Sequence, residues 1–336
     1  MARVAVVTGG TAGIGLATAH RFAARGWSVA VIARDPGRLA AAERALAAYG
    51  RPVLAIGADV ADPDAVDAAA RRVETELGPI RAWVNNAMST VVSPADEITP
   101  DEYRRVTETT YLSQVYGTLA ALRFMKRRNR GAIIQVSSGL AIRAAPLQAP
   151  YCAAKFAVSG FTDALRCELI HGKVDVSLSV VYLPAVNTPQ FNWARNHTGH
   201  RQYAPDPIFD PRLCAEAILY AVEHPRREVW VGRSSMMMAA AQALAPAFAD
   251  RKAASMWSAQ LSDETISDME GNLYEAVPGA VGIDGRFSGR TKGSRTEFCT
   301  SRTRDLVVGG LAGLALIGLA GTVHAARSAR RLPDRS

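Results

Sequence analysis

The residues with the most chemical content lie in Tyr151-Cys152-Ala153-Ala154-Lys155, with Ser138 preceding them. Side chains four apart share one face of a helix. A free phenol titrates near ~10 and transfers protons poorly at neutral pH. A cation beside it favours the phenolate and lowers that value. A helical Tyr-x-x-x-Lys pair can therefore make a phenol usable for proton transfer near neutrality. A serine hydroxyl nearby can hold a substrate oxygen in place. The pair alone is not specific, so its meaning depends on what the rest of the chain brings to it.

Residues 3 to 8 read as a buried strand, short and β-branched. Thr8-Gly9-Gly10-Thr11-Ala12-Gly13-Ile14-Gly15 follows and opens a helix to about Arg25. A strand, a glycine turn and a helix N-terminus make an anion site, because bare N–H groups and the helix dipole face a phosphate. The spacing is T-G-x-x-x-G-x-G, which differs from G-x-G-x-x-G. The next strand, Ser28 to Ala33, leads into Arg34-Asp35. In such units the end of the second strand faces the adenosine ribose, and an acidic residue there binds a free 2′-hydroxyl. Ala33 leaves room and Arg34 offers a fork suited to a 2′-phosphate, which favours NADP over NAD.

Alternation continues in order. Helices are expected at about 37–49, 63–77, 100–128, 150–170 and 211–223. Strands are expected at 52–57, 81–84, 132–136, 174–181 and 228–231. Asp59-Val60, Asn85-Asn86-Ala87, Ser137-Ser138 and Pro184-Ala185-Val186-Asn187-Thr188 each fall at or just beyond a strand end. Repeated β-α units with short connections imply an α/β fold, a doubly wound parallel sheet of about seven strands with helices on both faces. Ligands bind beyond the carboxyl ends of such strands, where every motif named above lies.

Over residues 3 to about 232 the chain resembles the short-chain dehydrogenase/reductase family. The matching pieces are the Thr8-to-Gly15 loop, Asp59-Val60, Asn85-Asn86-Ala87, Ser138, Tyr151-x-x-x-Lys155 and the Pro184-to-Thr188 turn. The resemblance implies that Tyr151 is the general acid–base residue. It implies that Lys155 holds the nicotinamide ribose and lowers the tyrosine pKa, and that Ser138 binds the substrate oxygen. Asp59 and Val60 are then expected at the adenine, Asn86 and Ala87 near the adjacent ribose, and Pro184, Val186 and Thr188 on the carboxamide and phosphate side. Family members carry an asparagine in the long helix that anchors a water behind the lysine. Thr110 stands at that place and is expected to serve the relay with a shorter reach. Ala185 and Met88 replace two glycines usual in the family. The family also implies subunit contact through helices 100–128 and 150–170, hence a homodimer or homotetramer.

Residues 189 to 210 are mixed and irregular, and the resemblance makes them a substrate lid. Phe191 and Trp193 are candidates to line an apolar pocket. His197 and His200 have no carboxylate or cysteine at suitable spacing, so no metal is expected.

The chain has 336 residues, a formal charge of +8 and 49% hydrophobic residues, ample for a large core. Four dispersed cysteines read as reduced thiols and exclude a disulfide scaffold. Met1-Ala2-Arg3 runs straight into a strand, so no signal peptide is expected. Much of the basic excess lies beyond residue 285, beside an apolar tail, which points to a membrane flank before nucleic acid. The expected organisation is a catalytic domain over 1–232, a partly helical extension over 233–278, a flexible basic linker over 279–305, an apolar span over 306–323 and a basic tail over 324–336. Met236 to Met238 open an Ala-rich helical stretch to about Met256, whose methionines are expected to pack inward. Leu306 to Val323 carry no charge and span about 27 Å as a helix, close to a ~30 Å hydrocarbon core. Together these describe a membrane-anchored NADP(H)-dependent oxidoreductase of a lipophilic carbonyl or alcohol, with its catalytic domain in the cytoplasm. A same-fold isomerase or dehydratase, and a nucleotide sensor without turnover, are the competing classes. Stoichiometric NADPH consumption separates the first of these, and any turnover excludes the second.

Overall fold

The computed structural model describes residues 3–279, 282–293 and 298–300. Strands β1 (Val4–Thr8), β2 (Ser28–Ala33), β3 (Val53–Gly57), β4 (Ile80–Asn85), β5 (Gly131–Ser138), β6 (Val176–Leu183) and β7 (Glu228–Val231) run parallel in the order β7-β6-β5-β4-β1-β2-β3. Helices α1 (Gly13–Ala24), α2 (Pro36–Ala47), α3 (Pro63–Glu76), α4 (Pro100–Thr107), α5 (Ser113–Arg128), α6 (Ala149–His171) and α7 (Pro211–Glu223) connect them. β1 shows why both faces are covered. Ala5 and Val7 point into a core with Leu16, Phe22, Leu39 and Leu213 from α1, α2 and α7. Val4 and Val6 point into another with Val66, Ala121, Met125 and Leu169 from α3, α5 and α6. A strand apolar at every position is the mark of a sheet buried on both sides. This is the Rossmann architecture, with its ligand edge at the carboxyl ends of the strands.

Helix starts follow a local rule. α2, α3, α4 and α7 each begin Asp-Pro or Thr-Pro, the first residue capping backbone N–H groups and the proline filling the first turn. α1 departs from it: Ala12 precedes the helix and gives no side-chain cap.

Three expectations are corrected. The long helix over 100–128 is interrupted by a π-turn at Glu108–Leu112. Thr109 Oγ1 donates to the Arg105 carbonyl and Ser113 Oγ to the Thr109 carbonyl, so hydroxyls compete for carbonyls where the turn widens. The methionines of the extension do not all pack inward. The stretch forms two helices, α8 (Arg233–Leu244) and α9 (Pro246–Ala254), broken at Pro246. Met236 packs against the cluster of Val180, Tyr182 and Trp230 on β6 and β7, whereas Met237 is 72% exposed. The described residues within 279–305 are not a free linker. Phe287 is buried, Thr291–Lys292 pair with Ile208–Phe209, and Phe298–Thr300 form β8, an eighth strand antiparallel to β7. Among the described residues no helix is long and apolar enough to cross a membrane. The apolar run 306–323 and the tail 324–336 lie outside them.

Candidate active site

The β1–α1 connection forms one wall of a cavity of about 430 Å³ at the carboxyl edge of the sheet. Gly9, Thr11, Gly13, Ile14 and Gly15 line it. A Cβ on Gly15 would collide with the Gly9 carbonyl, so the turn closes only with glycine there. The first turn of α1 has no side-chain cap and no acidic residue; its Gly13 N–H donates to the Gly282 carbonyl (3.1 Å), and the helix dipole faces the cavity without an opposing carboxylate. The residues therefore fit the phosphates of a dinucleotide. Arg34 lines the cavity at the end of β2, with Val60, Asn86 and Ala87 beyond it and Pro184, Val186 and Thr188 opposite. Asn86 is fixed by bonds from Nδ2 to the Thr8 carbonyl (3.0 Å) and from its backbone N–H to Thr8 Oγ1 (2.9 Å).

Ser138 at the end of β5, and Tyr151 and Lys155 in the first two turns of α6, face the same cavity. Ser138 Oγ accepts from the Leu140 N–H (3.1 Å) and hydrogen-bonds the Tyr151 phenol. Lys155 is 2% exposed; its Nζ donates to the Val136 carbonyl (2.8 Å) and lies 5.6 Å from the Tyr151 ring centre. The electrostatics differ from the expectation that the lysine lowers the phenol's pKa. Burial pushes the Tyr151 phenol above its ordinary value, opposed by the bond from Ser138 and reinforced by Cys152. Burial pulls Lys155 down to about 7. With a single carbonyl as partner the ammonium is only partly compensated, and a negative group nearby would restore its charge.

Three residues assigned to the site from sequence do not line the cavity. Thr8 spends its hydroxyl joining β1 to the Val84 carbonyl and the N–H groups of Asn86 and Ala87. Asp59 accepts from the Ala61 N–H and pairs with Arg105; burial raises its pKa, but those two contacts outweigh it and leave the carboxyl below its usual range. Thr110 is fully buried on the π-turn, donating to the Ser89 carbonyl (2.7 Å) and accepting from the Ser89 N–H (3.0 Å). Its hydroxyl is thus committed to the segment after β4, and neighbouring Thr109 is the one on the cavity wall.

Sequence reasoning missed other lining residues. Arg38 stacks its guanidinium over Trp193, 5.1 Å from the ring centre. Gln190, Gln202, Gln260, Met238, Met256 and Asn272 come from the lid and the C-terminal extension. Gln148 Nε2 donates to Gln260 Oε1 (2.6 Å), and Gln260 Nε2 to the Pro146 carbonyl (3.0 Å). No motif marks these positions, because long-range packing alone brings them to the cavity. His197 illustrates the same limit. Its two ring nitrogens contact Glu102 and Asp268, each at 2.8 Å, carboxylates remote in the chain. Among the described residues no group of side chains is arranged to hold a metal ion.

Comparison with known proteins agrees with this fold. The family model described as short chain dehydrogenase matches residues 3–198. An uncharacterized oxidoreductase, YxnA, of Bacillus subtilis is 31% identical over 91% of this chain and 86% of its own length. The 3-dehydrosphinganine reductase of Danio rerio is 31% identical over 55% of this chain and 57% of its own length. The fatty acyl-CoA reductase of Acinetobacter baylyi is 28% identical over 67% of this chain and 75% of its own length.

Proposed function

The chain belongs to the short-chain dehydrogenase family, and from that premise we propose that it is an NADP(H)-dependent oxidoreductase of a lipophilic carbonyl/alcohol pair, with Tyr151 as the general acid–base residue. The family makes it an oxidoreductase acting on CH–OH or C=O groups. The observation that carries the finer reading is the convergence of Ser138, Tyr151, Lys155, Arg34 and the uncapped start of α1 on one cavity. The nicotinamide, when bound, supplies or accepts the hydride. The Ser138 hydroxyl orients the substrate oxygen, and the phenol of Tyr151 gives it a proton in reduction or takes one in oxidation. Lys155 supports the phenolate once its own charge is restored by an anionic neighbour. Arg34, half-buried beside Arg38, supplies the charge for a 2′-phosphate.

Leu140, Ala145, Phe191, Met238 and Met256 give the cavity an apolar side, and two relatives are named for a fatty acyl thioester and a sphinganine derivative. Both support a lipophilic substrate. The uncharged run 306–323 supports attachment to a membrane with the catalytic domain on the cytoplasmic side, where NADPH is available. Leu119 on α5 is 53% exposed, and Phe156 and Ile170 on α6 are 45% and 71% exposed. These apolar side chains support assembly into a homodimer or homotetramer through α5 and α6.

The test is NADPH oxidation against a panel of lipophilic aldehydes and ketones, with the alcohol quantified. One alcohol formed per NADPH consumed is expected. Turnover of any candidate without net NADPH consumption would point to isomerase or dehydratase chemistry instead. Arg34→Asp should weaken NADPH roughly ten- to a hundredfold relative to NADH, the range for a lost charge-assisted bond of ~1.5–3 kcal/mol. An unchanged ratio would show that another group reads the phosphate.

A further inference from the structure

We infer that residues 268–276, outside the family match, complete the dinucleotide site: they hold Arg34 in position and, with Gln190, offer the cofactor one amide donor and one carbonyl acceptor. The inference rests on the oxidoreductase reading above.

The segment is fastened at both sides of the cavity. On the lid side Asp268 contacts His197 (2.8 Å) and Glu270 pairs with Arg195 (2.5 Å). Met269 and Asn196 exchange backbone hydrogen bonds of 3.0 Å. The chain then turns at Gly271 with φ +61°, where a Cβ would strike the Trp193 carbonyl and the Arg195 nitrogen. The Asn272 N–H donates to the Trp193 carbonyl (2.8 Å). On the α4 side Leu273 is fully buried among Val91, Ile98 and Val106, in the cluster against which the Tyr151 ring packs. Arg105 Nε donates to the Leu273 carbonyl (3.1 Å) while its other end pairs with Asp59.

Between these fastenings the backbone meets Arg34. Its Nη1 donates to the Tyr274 carbonyl (2.5 Å) and its Nη2 to the Asn272 carbonyl (2.6 Å). Two carbonyls fix the plane of the fork without neutralising it, and a guanidinium has five N–H donors, so others remain for an anion. Asn272 and Ala276 line the same cavity as Arg34.

The side chain of Asn272 makes a second contribution. Gln190 Oε1 accepts from Trp193 Nε1 (2.9 Å) and from Asn272 Nδ2 (3.3 Å). The indole is donor only, so it fixes which end of Gln190 is oxygen, and that oxygen fixes the Asn272 amide in turn. Gln190 Nε2 and Asn272 Oδ1 are left buried and without a protein partner among the described residues. Both residues line the cavity. The unpaired amide donor and the unpaired carbonyl acceptor call for a partner that can both accept and donate. A sugar hydroxyl does both, and the dinucleotide's ribose supplies one.

The test uses the full-length protein in detergent and measures NADPH and NADH dissociation constants by fluorescence titration, with no substrate present. Asn272→Ala should weaken both cofactors by about three- to tenfold and leave their ratio unchanged, as for one lost hydrogen bond. Leu273→Ala, which unseats the backbone beneath Arg34, should shrink the preference for NADPH severalfold. In an Arg34→Ala background Leu273→Ala should no longer change the ratio. Leu273→Val replaces it if the alanine variant loses its cooperative melting transition. Unchanged affinities in Asn272→Ala overturn the amide contact. Equal or absent effects of the Leu273 variants on both cofactors overturn the positioning of Arg34. A wild type that binds NADH as tightly as NADPH overturns the NADP(H) reading and the Arg34 half together, and the Asn272 variant still decides the amide half.

Discussion

Lys155 is the residue whose surroundings say most about the electrostatics of the site. Its ammonium is almost wholly buried with one carbonyl as partner, and burial lowers its pKa from 10.5 to about 7. In the unfolded chain the same group holds its proton up to about 10.5. Between those values the unfolded state binds more protons, so stability rises with pH across the window. Below about 7 the slope from this group vanishes. Denaturant unfolding at pH 7.5 and 9.5 should show wild type gaining up to about 2.5 kcal/mol more than Lys155→Met over the interval, one pH unit being worth ~1.4 kcal/mol. Identical gains in the two proteins would show that the lysine keeps its charge in the cavity. That Tyr151 and Lys155 share one helix face was legible in sequence because type and spacing alone define the helical pair, and the structure brings both to a cavity with Ser138. What was not legible is their electrostatic state, which depends on how deeply the fold buries them. The hydroxyls of Thr110 and Thr8 turn from the cavity for a related reason: a hydroxyl serves whatever carbonyl lies nearest, here those of Ser89 and Val84.

At the scale of elements, the seven parallel strands and the helices between them were readable from residues 3 to 232. Buried parallel strands are continuous apolar runs, and four helices announce themselves with a cap and a proline. The lid over 189–210 and the short strands beyond 232 were not readable. The strands there are two to five residues long and pair with partners remote in sequence, as Ile208–Phe209 do with Thr291–Lys292. Nor did the sequence reveal the buried polar network that ties α5 to the sheet. Asn85 Nδ2 donates to Gln135, Thr118 and the Gln114 carbonyl, and Trp83 Nε1 donates to Asn85 Oδ1 (2.8 Å). α5 approaches this network at Gly117, where a Cβ would overlap Asn85 Oδ1 and Trp83 Nε1. Trp83 is fully buried and cannot yield. Gly117→Ala should therefore destabilise the protein by about 1–2 kcal/mol. Overpacking of ~1–3 kcal/mol exceeds the ~1 kcal/mol that alanine gains in helix propensity. A variant that melts above wild type would show that α5 can shift outward at no cost.

For the whole molecule, the structure moves the boundary of the folded unit. β8 and buried Phe287 lie beyond the point where the catalytic domain and its extension were expected to end. A chain ending at Thr300 should melt like the full-length protein, bind NADPH and leave the membrane fraction. A chain ending at Pro278 should melt several degrees lower, since ~1 kcal/mol shifts Tm by about 2–4 °C at this size. Equal melting of the two truncations would show that residues 282–300 add nothing to the fold. A Thr300 chain still sedimenting with membranes at high salt would place the attachment in the folded part and not in 306–323. The central claim is that the phenol of Tyr151 moves the proton that accompanies hydride transfer. Its most direct test is Tyr151→Phe, compared with wild type for NADPH affinity and for turnover of the best carbonyl substrate. Turnover lower by roughly 10²–10⁴ with NADPH affinity nearly unchanged is the predicted result. Wild-type turnover by the phenylalanine variant would contradict the assignment.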